Sequence, residues 1–326
     1  MLIALSALVV VASLIGLVFG ADRFVDAATV IARGFGVSPL LVGMAIVGLG
    51  TSAPEMLVSV MAALKGEGGL AIGNALGSNI GNIGLVLGTT ALIGPIVVHR
   101  DVLREELSVL LLVSFGSMLL FVDGELGPGD GCFLLLGLVL ILARMIRRGA
   151  RDAKGEGRTA KEPNESIQRP KRWRSAVALL IGLGVLLISS KGIVWGGTNI
   201  AQALGVSQLI IGLTVVAIGT SLPELAASVT SARRGEHEMA VGNIIGSNTF
   251  NLLAVLPFPA LLDGGEVDAA VMTRDAPTML AFTITLGVLA YGLRVRGVIG
   301  RPGGAFLLLG YLGYLGYLVG VGLRVF

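Results

Sequence analysis

Residues 36–82 read GVSPLLVGMAIVGLGTSAPEMLVSVMAALKGEGGLAIGNALGSNIGN, and residues 205–251 read GVSQLIIGLTVVAIGTSLPELAASVTSARRGEHEMAVGNIIGSNTFN. The two stretches align without a gap at a constant offset of 169 residues, and 23 of the 47 aligned pairs are identical. A match of this length does not arise by chance. The chain therefore contains a duplication of one structural unit.

Composition places the duplicated unit in a membrane. The 326 residues are 54% hydrophobic and only 14% charged, whereas about 25% of a soluble protein is charged. The apolar runs lack the alternation of a β-barrel strand, and each is near the roughly 20 residues that a transmembrane helix needs. The sequence predicts an all-α integral membrane protein with ten transmembrane helices, at about 2–21, 37–63, 70–97, 107–122, 131–147, 175–199, 206–232, 239–262, 276–293 and 303–323.

The ten predicted helices divide into two sets of five. We predict a first five-helix repeat at 1–146, a basic cytoplasmic linker at 147–174 and a second five-helix repeat at 175–326. Because five is odd, the second repeat must enter the membrane inverted, which is an architecture of secondary transporters. Of the 24 Lys and Arg, 11 lie between Arg144 and Arg174, and basic residues favour the cytoplasmic side. We therefore predict a multi-pass protein of the cell (inner) membrane with both termini outside.

Several functions are excluded by the residues that are scarce. One cysteine and two histidines are too few for a disulfide scaffold, a zinc cluster or haem ligation, so we predict no cofactor. A hydrolase inside the membrane would need a nucleophile with a base or an aspartate pair, whereas His99 and His237 fall in predicted cytoplasmic loops. The protein is therefore not predicted to be an enzyme. The basic excess follows membrane topology, so we expect the lipid bilayer and small ions as partners, no nucleic acid and no obligate protein partner.

Each repeat contains one acid within its hydrophobic runs, Glu55 in the first and Glu224 in the second. An unpaired acid at the centre of a bilayer costs about 2.5–3.5 kcal/mol on insertion scales. Neighbouring hydroxyls are one way to satisfy such an acid. A bound cation is the interpretation that we favour, because the duplication places both acids alike and no Lys or Arg lies at the same depth.

Oxygen-bearing residues surround both acids. Pro54 and Pro223 cannot donate a backbone hydrogen bond and clash with the carbonyl four residues earlier, so the helices are expected to unwind there. Asn74, Ser78 and Asn82 are spaced four apart and form a polar stripe on a helix, as do Asn243, Ser247 and Asn251. The alternative role of these stripes is interhelical hydrogen bonding. Such hard oxygens suit Ca²⁺ or Na⁺. The candidate ligands are Glu55, Glu224, Thr51, Thr220, Ser52, Ser221, Ser78, Ser247, Asn82 and Asn251.

Two further features have expected structural roles. Glycines recur every fourth residue, at Gly73, Gly77 and Gly81 and again at Gly242 and Gly246, which is typical of close helix packing. The fifth apolar run contains Arg144 near its end, where a long side chain can reach the lipid headgroups.

The paired GTSxPE and GNxxGSNxxN motifs resemble the α-repeats of the cation/calcium exchanger superfamily, which comprises the sodium/calcium exchangers and their prokaryotic relatives. The resemblance implies that the second, third, seventh and eighth helices enclose the ion sites, with Glu55 and Glu224 as central ligands. It also implies that the backbone carbonyls of Gly48 and Ala217 coordinate ions. Several relatives have an aspartate in place of Asn82 or Asn251, including the potassium-dependent branch, so the asparagines here disfavour K⁺ coupling.

Charge compensation gives the transport hypothesis. Two ionised carboxylates in a low dielectric are costly unless positive charge is bound, so the protein is expected to change conformation only when loaded with Ca²⁺ or with monovalent cations. Exchange of Ca²⁺ for Na⁺ follows, with Ca²⁺/H⁺ exchange and K⁺-dependent Na⁺/Ca²⁺ exchange as alternatives. A cation channel, the more remote alternative, would keep a continuous wet path.

Overall fold

The structure is a computed structural model that describes residues 2–97, 103–154, 169–206, 211, 215–291 and 297–322. These residues are almost entirely helical, as the apolar runs predict. His99, expected to be a loop residue, lies outside the described residues.

The first half of the chain begins with one long helix and continues with shorter ones. Its elements are α1 (Leu2–Phe35), α2 (Pro39–Val42), α3 (Leu49–Thr51), α4 (Ala53–Ala63), α5 (Gly68–Gly81), α6 (Gly88–Ile93), β1 (Ile96–Val97), α7 (Ser108–Leu119), β2 (Glu125–Leu126) and α8 (Pro128–Ala153). Wider π-helical turns occupy Gly43–Gly48, Asn82–Leu87 and Leu103–Leu107.

The second half repeats this order. Its elements are α9 (Arg169–Ala203), α10 (Ala217–Thr220), α11 (Leu222–Arg233), α12 (His237–Phe250), α13 (Pro257–Leu262), β3 (Gly265–Glu266), α14 (Ala276–Tyr291), β4 (Val298–Ile299) and α15 (Arg301–Gly322). Here π-helical turns occupy Asn251–Val255 and Val271–Asp275.

Six helical spans of the described residues are long and apolar enough to cross a membrane, or seven when Pro39–Thr51 and Ala53–Ala63, bent by 44° at their junction, count as one. This number is smaller than the predicted ten because several segments are short. For example, α7 has 12 residues and α14 has 16.

The buried centre of the molecule is formed by two equivalent spans. The apolar 18-residue windows of Gly68–Ile93 and His237–Leu262 are 72% and 83% buried, whereas that of α1 is only 11% buried. At their contact, the side-chain amide of Asn79 donates to the carbonyl of Asn248, and Asn248 donates to the carbonyl of Asn79. Asn79 and Asn248 are 169 residues apart, so the same contact occurs in both directions across the two halves.

Two short ribbons mark opposite ends of the bundle. β1 pairs antiparallel with β4, and β2 pairs antiparallel with β3. β1 and β3 follow equivalent helices, and β2 and β4 precede equivalent helices, so exchange of the two halves converts one ribbon into the other. We call the two ends the β1–β4 end and the β2–β3 end.

The outer helices α1 and α9 pack against each other through glycines. A Cβ atom added at Gly182 would lie 2.7 Å from the backbone nitrogen of Phe24, and one at Gly20 would lie 3.0 Å from the nitrogen of Leu186. Close backbone contact of this kind is typical of membrane helices. The other faces of α1 and α9 carry exposed large apolar side chains.

Three details differ from the sequence predictions. α1 continues to Phe35 rather than stopping near residue 21, because its polar last turns remain helical beyond the apolar run. α8 and α9 extend to Ala153 and from Arg169, so helix enters both sides of the predicted linker. Arg144 does not simply reach for headgroups, since it donates to Glu106 Oε2 at 2.7 Å. A buried acid on a neighbouring helix attracts its guanidinium more strongly than the surface does.

Candidate cation site

The helices break beside both acids, as the prolines predict. α3 ends at Thr51, and Ser52 has φ −80° and ψ 4° before α4 begins. In the second half, Ser221 has φ −85° and ψ 1° between α10 and α11. Pro223 also leaves the carbonyl of Gly219 without its usual helical donor. Ser190 of α9 occupies that carbonyl by donating its hydroxyl at 2.6 Å.

Glu55 and Glu224 lie in the first turns of α4 and α11, where the helix dipole favours negative charge. Both residues are 1% exposed. The hydroxyl of Ser52 donates to Glu224 Oε1 at 3.5 Å, while Oε2 of each glutamate has no hydrogen-bond partner among the described residues. A buried carboxylate oxygen without a partner is costly, so these two oxygens require a proton or a cation.

The polar stripe divides into residues that hold the acids in place and residues that do not. Asn74 donates to the carbonyl of Glu55 at 3.1 Å and to Ser59 at 3.0 Å. Asn243 makes the equivalent bonds to Glu224 and Ser228 at 3.2 and 2.8 Å. In these two asparagines the alternative role, structural hydrogen bonding, accounts for the amide nitrogens.

Asn82 and Asn251 occupy equivalent positions with a different environment. Each begins a π-helical turn, a feature that often occurs at functional sites. Both amide atoms of Asn251 are buried without a partner among the described residues. Within the described part of the chain, each asparagine is hydrogen-bonded to a candidate ligand only through its backbone N–H, which donates to the carbonyl of Ser78 or Ser247, and no side-chain hydrogen bond joins either one to the other candidates.

Contacts across the two halves bring several other candidates together. Ser247 donates to the carbonyl of Gly48 at 3.2 Å, and Thr51 donates to Val47 at 3.0 Å and to Asn243 Oδ1 at 3.3 Å. Gly48 therefore presents its carbonyl at the contact between the halves. Ala217 begins α10, three residues before Thr220.

A cavity of about 380 Å³ leads from the β2–β3 end to this region. Its lining includes the polar residues Asn74, Ser78, Thr220 and Ser221. Gly69 also lines it, near the start of α5, and the same glycine borders a groove that contains Leu126 of β2. Three candidate ligands thus face a path to one end of the molecule.

The equivalent region at the β1–β4 end is closed. A Cβ at Gly246 would lie 2.6 Å from backbone atoms of Met44, and one at Gly48 would lie 2.9 Å from the nitrogen of Ser247. Gly242 and Gly246 therefore have the close-packing role expected of them. Gly73 and Gly77 do not, because a Cβ on either would meet nothing within 4 Å in the described structure. They line the cavity instead.

Four residues on the cavity wall were not identified from the sequence. They are Arg274, Asp275, Tyr311 and Tyr314. Two signals were available: Asp275 immediately precedes an apolar run, and the tyrosines belong to the regular stretch GYLGYLGYL at 310–318. Without the contact between the π-helical turn Val271–Asp275 and α15, neither signal connects these residues to the site.

The candidate ligands are all hard oxygen donors, and only Glu55 and Glu224 among them can carry a charge. Among the described residues, no group of three or more His, Cys, Asp or Glu is placed to hold a metal ion. A cation bound here would meet two carboxylates together with hydroxyl, amide and carbonyl oxygens, which is a set that Ca²⁺ and Na⁺ accept.

Known proteins resemble this chain over nearly its whole length. The sequence model of the family described as sodium/calcium exchanger protein matches residues 5–147 and 174–320. "Putative antiporter CaxA" of Alkalimonas amylolytica is 42% identical over 303 residues, covering 93% of this chain and 95% of CaxA. Inner membrane protein YrbG of Escherichia coli K12 is 42% identical over 294 residues, covering 89% and 90%.

A solved structure shares the fold. The sodium-calcium exchanger NCX_Mj, soaked with 10 mM Na⁺ and no Ca²⁺, superposes with a TM-score of 0.83 at 32% identity, covering 96% of this chain and 99% of that one.

Proposed function

The chain belongs to the sodium/calcium exchanger protein family, and from this premise we propose that it is a secondary active antiporter that exchanges Ca²⁺ for Na⁺ across the cell membrane by alternating access. Membership makes it a cation antiporter and not an enzyme. The coupling ion, the ligand set and the topology are the parts that we propose.

One observation carries the proposal. Each of the two buried glutamates has a carboxylate oxygen without a hydrogen-bond partner among the described residues, and a cavity approaches them from one end while glycine contacts close the other. A site with access from a single end suits a carrier, whereas a channel needs a continuous path. One Ca²⁺ neutralises both acids, and monovalent cations or protons do the same. Competition of these cations for the same oxygens makes exchange obligatory.

The architecture that we propose is ten transmembrane helices in two inverted five-helix repeats, at 1–146 and 175–326, joined by the linker 147–174. The exchange of the two ribbons supports inversion, and so does the reciprocal contact of Asn79 and Asn248. Positive-inside topology assigns the linker and the β1–β4 end to the cytoplasm. The termini and the β2–β3 end, with its cavity, are then outside.

We propose that the ion ligands come from both halves. They are Glu55, Glu224, Thr51, Thr220, Ser52, Ser221, Ser78, Ser247, Asn82 and Asn251, with the backbone carbonyls of Gly48 and Ala217. Support comes from the burial of the acids, from the bonds Ser52–Glu224 and Ser247–Gly48, and from the lining of the cavity. NCX_Mj supports Na⁺ and Ca²⁺ as substrates, since it is named a sodium-calcium exchanger.

Ca²⁺/H⁺ exchange is the second candidate. Two buried carboxylates with free oxygens accept protons as well as metal ions, and the names of CaxA and YrbG specify no coupling ion. K⁺-dependent exchange has less support, because Asn82 and Asn251 are neutral.

Vesicles containing the purified protein test the proposal. They are loaded with Na⁺, diluted into labelled Ca²⁺ without K⁺, and compared with vesicles that carry only a pH gradient. We expect Ca²⁺ uptake driven by Na⁺. Uptake driven only by the pH gradient would establish the proton-coupled alternative, and a requirement for K⁺ would establish the other.

A further inference from the structure

Asp275 is a carboxylate that the proposed ion site does not use, although it lines the same cavity as Ser78 and Ser221. It is 8% exposed. Its Oδ1 accepts from the hydroxyl of Tyr314 at 2.8 Å and from Arg274 Nε at 2.7 Å, and its Oδ2 accepts from Arg274 Nη2 at 2.9 Å. It is the only acid among the described residues that line this cavity.

The partner of Asp275 is its own neighbour in the sequence. A salt bridge between adjacent residues fastens no two helices together, so fold stability explains Arg274 poorly. Among the described residues, the hydrogen bond from Tyr314 is the only side-chain bond that joins Asp275 to another element. Arg274 keeps 29% of its side chain exposed and lines the cavity beside Asp275, so water can replace Asp275 as the partner of its guanidinium.

The repeat equivalent of Asp275 shows the contrast. Glu106 lies 169 residues earlier and is 1% exposed, but Arg144 and Arg148 of α8 bind it from another helix. Two arginines from a packed helix make Glu106 a structural anchor. Among the described residues, no arginine of another helix binds Asp275, which lines the cavity instead.

We propose that Asp275 and the Tyr314 hydroxyl form an outer binding site for a divalent cation on the cavity wall, with Arg274 as the counter-ion that the arriving cation displaces. This inference rests on the proposed function, since it gives the exchanged Ca²⁺ a first stop on its way from outside. A carboxylate, a phenol oxygen and cavity water are ligands that Ca²⁺ accepts. Tyr311, deeper in the same wall and close to Gly81, continues the polar path toward Ser221.

The proposal predicts opposite effects at two adjacent positions. Asp275→Asn removes the cation's carboxylate, so the KM for external Ca²⁺ should rise about fivefold. Arg274→Gln removes the competitor, so the same KM should fall. The maximal exchange rate and the KM for internal Ca²⁺ should stay within about twofold, because these residues line only the outer cavity. A purely structural pair would instead give less folded protein in both variants and no opposite shifts.

Glu105→Gln is the matched control. It removes a half-exposed carboxylate that contacts arginines at the closed end, while Glu106 keeps both partners. The external KM should not change. External KM values that shift in the same direction for Asp275→Asn and Arg274→Gln, or do not shift, would overturn the proposal.

A binding measurement separates this inference from the proposed function. Terbium(III) is close to Ca²⁺ in size, and a nearby tyrosine excites its luminescence. In a Glu55→Gln/Glu224→Gln background, tyrosine-sensitised terbium emission should persist, be displaced by Ca²⁺ and disappear on adding Asp275→Asn. Emission with no Ca²⁺ uptake by the parent would refute the exchange function and keep the site. If the parent takes up Ca²⁺ but Asp275→Asn does not alter the emission, the outer site is refuted and the exchange function stands.

Discussion

Gly242 and Gly246 of α12 pack against the backbone around Met44, whereas their repeat equivalents Gly73 and Gly77 of α5 line the cavity, where an added Cβ would meet nothing within 4 Å among the described residues. The same motif thus has a closed form at one end of the molecule and an open form at the other. Because both helices carry the same motif GNxxGSN, the motif itself does not account for the difference. The structure therefore shows two arrangements of one repeated motif, and in the antiporter that we propose, alternating access would exchange them.

Substitution of the two buried acids, one in each half, should have the largest effect on exchange. Glu55→Gln and Glu224→Gln should each insert and fold, yet reduce Ca²⁺ exchange about a hundredfold or more, because an unbalanced buried charge costs about 3–5 kcal/mol. Uptake into vesicles, corrected for the amount of inserted protein, measures this. A loss at only one position would show that the halves contribute unequally.

The glycines test whether the closed and open ends exchange forms. Gly246→Ala places a methyl group against Met44, so the closed end should loosen. Gly77→Ala has room in this structure but should prevent closure of the cavity. Overpacking costs about 1–3 kcal/mol, so each variant should slow exchange about tenfold.

Labelling distinguishes the two arrested states. With Cys132, the single cysteine, replaced by serine, Leu318→Cys adds a reporter on the cavity wall. An impermeant maleimide added outside should label the reporter faster in Gly77→Ala and more slowly in Gly246→Ala. Equal labelling rates would contradict an exchange of the two forms.

At the closed end, the turn between α11 and α12 also carries ion pairs that the corresponding turn of the first half lacks in the described part of the chain. Arg234 binds Asp22 at 3.2 Å and Asp26 at 2.5 Å, and Arg33 binds Glu236 at 2.9 Å, so α1 is tied to the turn between α11 and α12. Their equivalents on the corresponding turn, Lys65 and Glu67, form no ion pair in the described structure.

Arg234→Ala should therefore favour opening of the closed end, with a modest effect. Exposed pairs contribute about 0.2–1 kcal/mol each, so the labelling rate of the cavity reporter should fall about threefold. Partial burial lowers the pKa of Arg234, but hydrogen bonds to Asp22 and Asp26 outweigh it, so the pKa is raised overall. High salt should reproduce the effect in the parent protein, and raising the pH from 7 to 8 should not. A variant insensitive to both the substitution and salt would show that the pairs are incidental.

The smallest effect is expected between the halves. Replacing about ten residues within 155–168 by Gly and Ser should leave exchange within twofold, since a Gly/Ser linker of the same length spans the same ends. Asp152 must remain, because it is buried and accepts from the backbone nitrogen of Ser38 at 3.3 Å. Measuring exchange by correctly inserted protein tests this, and a complete loss would make the linker part of the mechanism.

The structural features that depend on neighbouring residues in the chain could be predicted from the sequence. Pro54 and Pro223 act on their own helices, so the breaks beside Glu55 and Glu224 could be predicted. The pairing of Arg144 with Glu106 could not, because it joins two helices whose relative rotation no pattern encodes. The different environments of Gly73 and Gly77 and of Gly242 and Gly246 could not be predicted for another reason. The two copies share the same glycine motif, so the sequence does not indicate which copy is closely packed.

The reciprocal contact of Asn79 and Asn248 lies where the two halves meet, and exchanging the halves maps it onto itself. A contact with that property exists equally in both conformations, so its energy cancels from the equilibrium between them. Weakening this contact should therefore lower the free energy of unfolding while leaving the ratio of the two conformations unchanged. Among the described residues, the contacts of Gly242 and Gly246 and the ion pairs of Arg234 are present at only one end of the molecule. A small change in their energy therefore shifts the population between the two conformations.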